Sequence, residues 1–220
     1  MDAVCFDMDG VVVDSERHWI PLENDHIFPR AVDTAVEAEE ISGMNVEDLY
    51  DHLDAEYGTT IDSEEFVGLY DDAAEEVYTE RVDLMVGFPD LLEWLEDNGV
   101  VTALVSSSPH RWIDLTLGRF GLTFDAVVSA EDVDGHGKPA PDVYRLAADR
   151  LGVAPSRCVA VEDSTAGATA AARAGMYCLG YREGHRADAD LSPADALVTG
   201  PEALREHLEV LCARPEFEHE

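Results

Sequence analysis

The sequence predicts an α/β fold, a parallel sheet core with helices on both faces, interrupted by one all-helical insertion. Three observations predict it. Strand-length apolar runs recur at residues 3–6, 100–105, 124–129, 158–161, 177–181 and 196–199, and after the first they alternate with amphipathic helical stretches. Two of these runs end on paired acids, Asp7 with Asp9 and Glu162 with Asp163. A buried parallel strand ends that way when its carboxyl end faces a site, where ligands of open α/β sheets gather. Between residues 15 and 83 strand-like runs vanish and helical spacing takes over. The organisation is two-part: a core of residues 1–14 and 84–220, and a helical block of residues 15–83.

The opening stretch carries the most chemistry. Asp7 and Asp9 are spaced i, i+2, which points both carboxylates to one face if the strand continues through them. Gly10 lets the backbone turn without a Cβ in the way. Carboxylates that close raise each other's pKa unless a cation lies between them, and a hard divalent ion such as Mg²⁺ relieves the conflict. A solvated turn is the plainer alternative. An EF-hand is excluded, because the fifth, sixth and twelfth positions lack its ligand, glycine and glutamate.

Within the insertion, Pro21 and Pro29 are expected to interrupt the helices. Val46, Leu49, Tyr50 and Leu53 recur at helical steps, as do Phe66, Tyr70, Ala73, Ala74 and Val77. Asp62 with Glu65 is an N-terminal capping signal. The block is too long for a simple crossover between strands; it fits a cap over the site better than additional cover for the core.

The core resumes near Leu84. Gly87-Phe88-Pro89-Asp90 leads into a helix with Leu91, Leu92, Trp94 and Leu95 on its apolar face, stopping at Asn98-Gly99. The next strand ends in Ser106-Ser107-Ser108-Pro109. Ser108 and Pro109 are expected to be N-cap and first helical residue, and the hydroxyls beside a helix start make either an oxyanion site or a simple cap. Gly135-His136-Gly137-Lys138-Pro139 follows another strand, ahead of a helix with Val143, Leu146, Ala147 and Leu151. Lys138 is the single lysine of the chain. Its compact charge suits a pocket where a carboxylate and a phosphate must be neutralised together. After Glu162-Asp163, either Asp163 or Ser164 serves as N-cap of a small-residue helix over 165–174 that stops at Gly175. A closing helix is expected over 202–211, and a frayed tail beyond Pro215.

A chain of 220 residues can bury a full core and carry a modest insertion. Its 48 acidic residues against 14 basic ones give a net charge of −34. The acids are spread over helix surfaces (Glu37, Glu39, Glu40; Asp71, Asp72, Glu75, Glu76), a pattern that resembles halophilic proteins dissolved in concentrated salt. Such a charge repels nucleic acid and anionic membrane surfaces. Cys5, Cys158, Cys178 and Cys212 form no CxxC pair, so buried thiols in a reducing cytoplasm are expected, without disulfides or zinc. No signal peptide or membrane span is read, and a monomer is the default.

Phe6-Asp7-Met8-Asp9-Gly10-Val11-Val12-Val13-Asp14-Ser15-Glu16 resembles the first motif of the haloacid dehalogenase superfamily, in its phosphatase and phosphomutase branch with a small helical cap. Ser106 falls at the second motif, Gly137-Lys138-Pro139-Ala140-Pro141 resembles the third, and Glu162-Asp163 the fourth. Ile41-Ser42-Gly43 is similar to a cap loop of the branch. The resemblance implies a Rossmann-like core with a cap, and phosphate-ester hydrolysis of a small phosphorylated metabolite through an aspartyl-phosphate. It implies Asp7 as nucleophile and Asp9 as general acid/base. Mg²⁺ would be held by Asp7, Asp9 through its backbone carbonyl, Glu162 and Asp163. Ser106, Ser107, Lys138 and the amides of Met8 and Gly10 would balance phosphoryl charge.

The alternative within the family is a β-phosphoglucomutase-like phosphomutase. The mutase pattern has an arginine after the cap glycine, where this chain has Met44-Asn45-Val46-Glu47-Asp48. It also has a cap histidine where this chain has Trp19, with His18 adjacent and able to shift into register. These departures favour a phosphatase. A 2-haloacid dehalogenase leaves Asp9, Glu162 and Asp163 unexplained, and a non-catalytic phosphate-binding module leaves every filled catalytic position unexplained. Candidate specificity residues are His18, Trp19, Glu23, Asn45 and Arg111.

Overall fold

The computed structural model describes residues 1–36, 46–134, 137–183 and 189–213. Among them six strands, β1 (Ala3–Phe6), β2 (Val101–Ser106), β3 (Ala126–Ser129), β4 (Cys158–Glu162), β5 (Tyr177–Arg182) and β6 (Ala196–Thr199), form one sheet in the order β3-β2-β1-β4-β5-β6. Every pairing is parallel. Phe6 is level with Leu104 on one side and Val161 on the other. The residues after Phe6 therefore emerge beside Ser106 and Glu162, which puts the acid-bearing strand ends on one edge.

Alternation along the strands sorts side chains by size. Val4, Phe6, Leu104, Val159, Val161 and Leu179 face one layer, built from α5 (Phe88–Asp97), α6 (His110–Phe120) and α9 (Gly200–Cys212). Ala3, Cys5, Ala103 and Ala160 face the other, built from α7 (Asp142–Leu151) and α8 (Thr165–Ala174). Small residues on both sides of this second interface let α8 approach closely. It contains Gly167, Ala168, Ala170, Ala171 and Ala174, all buried. Ser164 is its N-cap, accepting from the Gly167 amide at 3.0 Å, and Gly175 closes it with φ 85°.

Between β1 and β2 the described chain is helical: α1 (Glu16–Leu22), α2 (Phe28–Ala31), α3 (Val46–Tyr57) and α4 (Ser63–Glu76). The prolines do not interrupt it as expected. The chain stays helical from Glu16 to Ala31, with a wider π-helical turn over Glu23–Ile27 just past Pro21, while Pro29 lies in the first turn of α2. Pro21 has no amide proton to give the Arg17 carbonyl, and the helix continues across it. Asp62 caps α4 through the Glu65 amide at 2.9 Å, as the spacing predicts. A second π-helical turn, Val77–Arg81, extends α4 and packs on α6. The chain enters and leaves the insertion on paired segments: the Asp14 amide bonds the Asp83 carbonyl at 3.2 Å, and the Met85 amide the Val12 carbonyl at 2.9 Å.

Two of the boundaries that differ from the sequence reading have a local cause. β3 begins at Ala126 because Asp125 turns its carboxylate to the Thr102 amide at 2.8 Å. Helix α6 begins at His110 after Pro109, so Ser108 is not its cap; that hydroxyl donates to Asp9 instead. The expectations for Ile41-Ser42-Gly43, Met44, Asn45, Gly135, His136 and the tail beyond Pro215 lie outside the described residues. Among the described residues no helix is long and apolar enough to cross a membrane, and all four cysteines are free thiols.

The end of β3 is tied to both helix layers by Asp132, whose carboxylate accepts from the Ser129 amide and Arg150 at 3.0 Å each and lies 2.9 Å from His110 Nε2. Burial works against its charge, but these partners hold its pKa down to about 2. As pH falls the unfolded chain takes the proton first, so this stabilisation is complete above about pH 4. It disappears as pH drops through about 2. Acid unfolding monitored by circular dichroism is expected to show Asp132→Asn losing less stability than the parent chain across that window.

Candidate active site

The site forms where β1, β2 and β4 end, and Lys138 is at its centre. The Lys138 ammonium lies 2.8 Å from Asp7 Oδ1 and 2.7 Å from Glu162 Oε1, and donates to the Val105 carbonyl at 3.0 Å. Three acceptors thus match its three protons. Its side chain is 3 % exposed. Burial opposes the ammonium charge, but the carboxylates of Asp7 and Glu162 outweigh it and hold the pKa above the ordinary lysine range. Glu162 is fully buried, accepts from the Tyr144 hydroxyl and from Ser164 Oγ at 3.2 Å, and is pushed up to about 7. Burial is the main cause and the Asp7 charge adds to it, while Lys138 and Tyr144 oppose them. The Met8 amide donates to Asp7 Oδ1 at 2.8 Å, which fixes the orientation of that carboxylate.

Asp7, Glu162 and Asp163 bring carboxylate oxygens within 4.8 Å of one another, all on buried residues. Three acids against one ammonium leave an excess of negative charge in a low-dielectric pocket, and hard oxygen donors at that spacing suit Mg²⁺. Two glycines make the cluster possible. A Cβ on Gly10, which has φ +81°, would fall 1.8 Å from Asp163 Oδ2. A Cβ on Gly167 would fall 1.8 Å from Glu162 Oε2. The residues present therefore fit a divalent cation, and the backbone is shaped around the carboxylates that would hold it. A cleft of about 420 Å³ leads to Gly10 and Asp163, lined also by Arg17, Asp83, Met85 and Glu183.

Asp9 is expected to reach the cation through its backbone carbonyl and to act as acid/base through its side chain. Its side chain lies outside the group of three and is enclosed by hydroxyls. Oδ1 accepts from Ser15 at 2.5 Å and Tyr78 at 2.8 Å, and Oδ2 accepts from Ser108 at 2.9 Å. Burial raises its pKa, Ser15 works against that, the Asp7 charge reinforces it, and Tyr78 and Ser108 oppose it. Three hydroxyl donors satisfy this carboxylate. Tyr78 itself is pushed well above the ordinary phenol range, first by burial and then by the Asp9 charge.

The remaining expected groups are distributed as follows. Ser106 is fully buried at the end of β2, and its Oγ accepts from the Ser108 amide at 2.9 Å. Ser107 is partly exposed beside it. The Gly10 amide donates to the Val13 carbonyl at 2.7 Å and the Met8 amide to Asp7, so both amides expected at phosphoryl oxygens are engaged within the chain. His18 does not move into the place of Trp19. Its Nε2 accepts from Arg17 Nε at 3.0 Å, and burial followed by the Arg17 charge lowers its pKa. Trp19 is buried and donates to the Tyr78 hydroxyl at 3.2 Å. Glu23 accepts from the Tyr70 hydroxyl at 2.8 Å, and Arg111 pairs with Asp71 and Glu131. Tyr78, Tyr144 and Ser108 were not singled out for the site by sequence. The signal for the two tyrosines was available: a tyrosine on an apolar helix face needs a partner for its hydroxyl.

A parallel sheet with acids and a lysine at its central strand ends, and a helical insertion after the first strand, defines a class of α/β hydrolase. The family model for haloacid dehalogenase-like hydrolases matches residues 1–175, and the chain belongs to that family. It is 32 % identical over 188 residues to the putative phosphatase YhcW of Bacillus subtilis, covering 80 % of this chain and 81 % of that protein. It is 33 % identical over 179 residues to hexitol phosphatase B of Escherichia coli, covering 79 % and 80 %. The fold is shared with the crystal structure of β-phosphoglucomutase from Clostridium difficile, with a TM-score of 0.77 and 22 % identity over 96 % of this chain and 97 % of that one.

Placing a methyl group at Gly167 forces Glu162 off Lys138 and Tyr144, leaving buried charges mismatched at a cost of about 3 kcal/mol. Urea denaturation of Gly167→Ala is expected to show a loss of that order. Gly118→Ala on α6, where no atom lies within 4 Å of the new Cβ, is expected to be neutral or stabilising by up to about 1 kcal/mol.

Proposed function

We propose that this chain is a Mg²⁺-dependent phosphatase that hydrolyses a small phosphorylated metabolite, a sugar phosphate or phosphoglycolate-like ester, through an aspartyl-phosphate on Asp7. The observation that carries the reading is the buried contact of Lys138 with Asp7 and Glu162, at 2.8 and 2.7 Å, beside Asp163. The similarity to YhcW and hexitol phosphatase B supports it.

Asp7 attacks phosphorus, a bond forms from its carboxylate oxygen, and the bond from phosphorus to the leaving oxygen breaks. Asp9 gives its proton to that leaving oxygen. It then takes one from the water whose oxygen bonds to phosphorus as the bond from Asp7 to phosphorus breaks, which frees the Asp7 carboxylate and leaves Asp9 protonated again. Asp7, Glu162 and Asp163 carry the oxygens that would hold Mg²⁺, with the Asp9 carbonyl as a further ligand. When bound, the ion would supply positive charge against the phosphoryl oxygens. Lys138 adds its ammonium there, and Ser106 and Ser107 sit at the strand end where hydroxyls can donate. Residues 15–83 act as a cap over the core of residues 1–14 and 84–220, excluding water while the ester is cleaved. Hydrolysis is preferred to mutase chemistry because Trp19, buried against Tyr78, leaves no imidazole at the position of the cap histidine.

Turnover of p-nitrophenyl phosphate in concentrated salt tests the reading. Activity is expected with Mg²⁺ and lost on chelation with EDTA. Asp7→Asn is expected to lose about 10³-fold or more. Full activity in that variant refutes the assignment of the nucleophile. Assaying glucose 1-phosphate isomerisation beside phosphate release separates hydrolase from mutase.

A further inference from the structure

Tyr78 lies outside the group of Asp7, Lys138, Glu162 and Asp163, yet it reaches the acid/base carboxylate directly. It is 1 % exposed and sits in the π-helical turn Val77–Arg81, which closes the insertion. Its hydroxyl is 2.8 Å from Asp9 Oδ1 and 3.2 Å from Trp19 Nε1. An indole N–H can only donate. The phenol oxygen therefore accepts from Trp19, and its own proton is directed at Asp9. Trp19 is held in place by stacking on Trp112 of α6, with ring centres 5.3 Å apart and planes 23° apart. Trp112 is fixed in turn by its Nε1, which donates to Asp71 Oδ1 at 2.9 Å. Arg119 of α6 donates to the Tyr78 carbonyl at 3.3 Å, clamping the same turn from the core side.

Asp9 is thus gripped from three places: Ser15 where the insertion begins, Tyr78 where it ends, and Ser108 at the core strand end. We propose that Tyr78 is a positioning residue that aims the Asp9 carboxyl at the leaving oxygen, that Trp19 acts through it, and that Asp9 is correctly placed only while the insertion is docked on α6. This rests on the phosphatase reading, in which Asp9 is the acid/base. A hydroxyl supplied from the insertion makes proton transfer depend on docking, since undocking removes the donor from Asp9.

The test compares kcat/KM for two aryl esters, which reports events up to cleavage of the ester. Phenyl phosphate expels a poor leaving group that needs a proton, and p-nitrophenyl phosphate expels one that departs without it. Tyr78→Phe keeps the ring and deletes the hydroxyl. It is expected to lose about tenfold or more on phenyl phosphate and less than about threefold on p-nitrophenyl phosphate. Trp19→Phe is expected to show the same asymmetry, and the double variant to lose no more than Tyr78→Phe alone. Equal losses on both esters, no loss, or additive losses in the double variant overturn the inference. If Tyr78→Phe fails to fold, Trp19→Phe carries the same comparison, and symmetric losses there are decisive against it. A parent chain that turns over neither ester overturns the phosphatase reading and this inference with it, whereas a parent that hydrolyses both isolates the inference.

Discussion

One buried ammonium holds the end of the sheet together. Asp7 and Glu162 stand at the ends of neighbouring strands β1 and β4, which the parallel register brings level. Two carboxylates in that position repel each other through a low dielectric. Lys138 sits between them with a third contact to the Val105 carbonyl of β2, so its three protons span the three central strands. Tyr144 of α7 and Gly167 of α8 complete the enclosure, the first by donating to Glu162 and the second by having no Cβ where its carboxylate lies. The packing of two helices and the charge state of the site are therefore one problem with one solution.

The second constraint is how the insertion meets the core. Asp9 follows Asp7 by two residues, but its carboxylate is satisfied by different chemistry: three hydroxyls in place of an ammonium. Two of those hydroxyls come from the two ends of the helical insertion. The aromatic group of Trp19, Tyr70, Tyr78 and Trp112 fills the space around them and bridges the insertion to α6. Salt affects this junction less than the surface, where most ion pairs are exposed and screened. A chain with a net charge of −34 gains from having its functional charges buried and its docking surface aromatic.

Strand alternation and the helical stretch after the first strand were legible as short-range pattern, and the meeting of Asp7, Lys138, Glu162 and Asp163 was legible because all stand at or near strand ends that one parallel sheet lines up. Apolar runs end on acids, and the single lysine stands between glycine and proline. What was not legible depends on partners distant in the chain. Ser108 is a good helix cap by spacing, but a buried carboxylate 99 residues away competes for its hydroxyl. The hydroxyls around the Asp9 side chain were not legible, because one of them, Tyr78, lies 69 residues on. Pro21 and Pro29 predict breaks by local rule, but the chain stays helical across both.

Because Lys138 is the single lysine, labelling with ¹⁵N-lysine gives one side-chain ammonium signal, and its behaviour in nuclear magnetic resonance spectra tests the central interaction directly. Buried between Asp7 and Glu162, it is expected to be visible at neutral pH with slow proton exchange, and to stay charged beyond the ordinary lysine pKa of about 10.4. A signal lost to rapid exchange, or one that titrates at that ordinary value, would contradict the account.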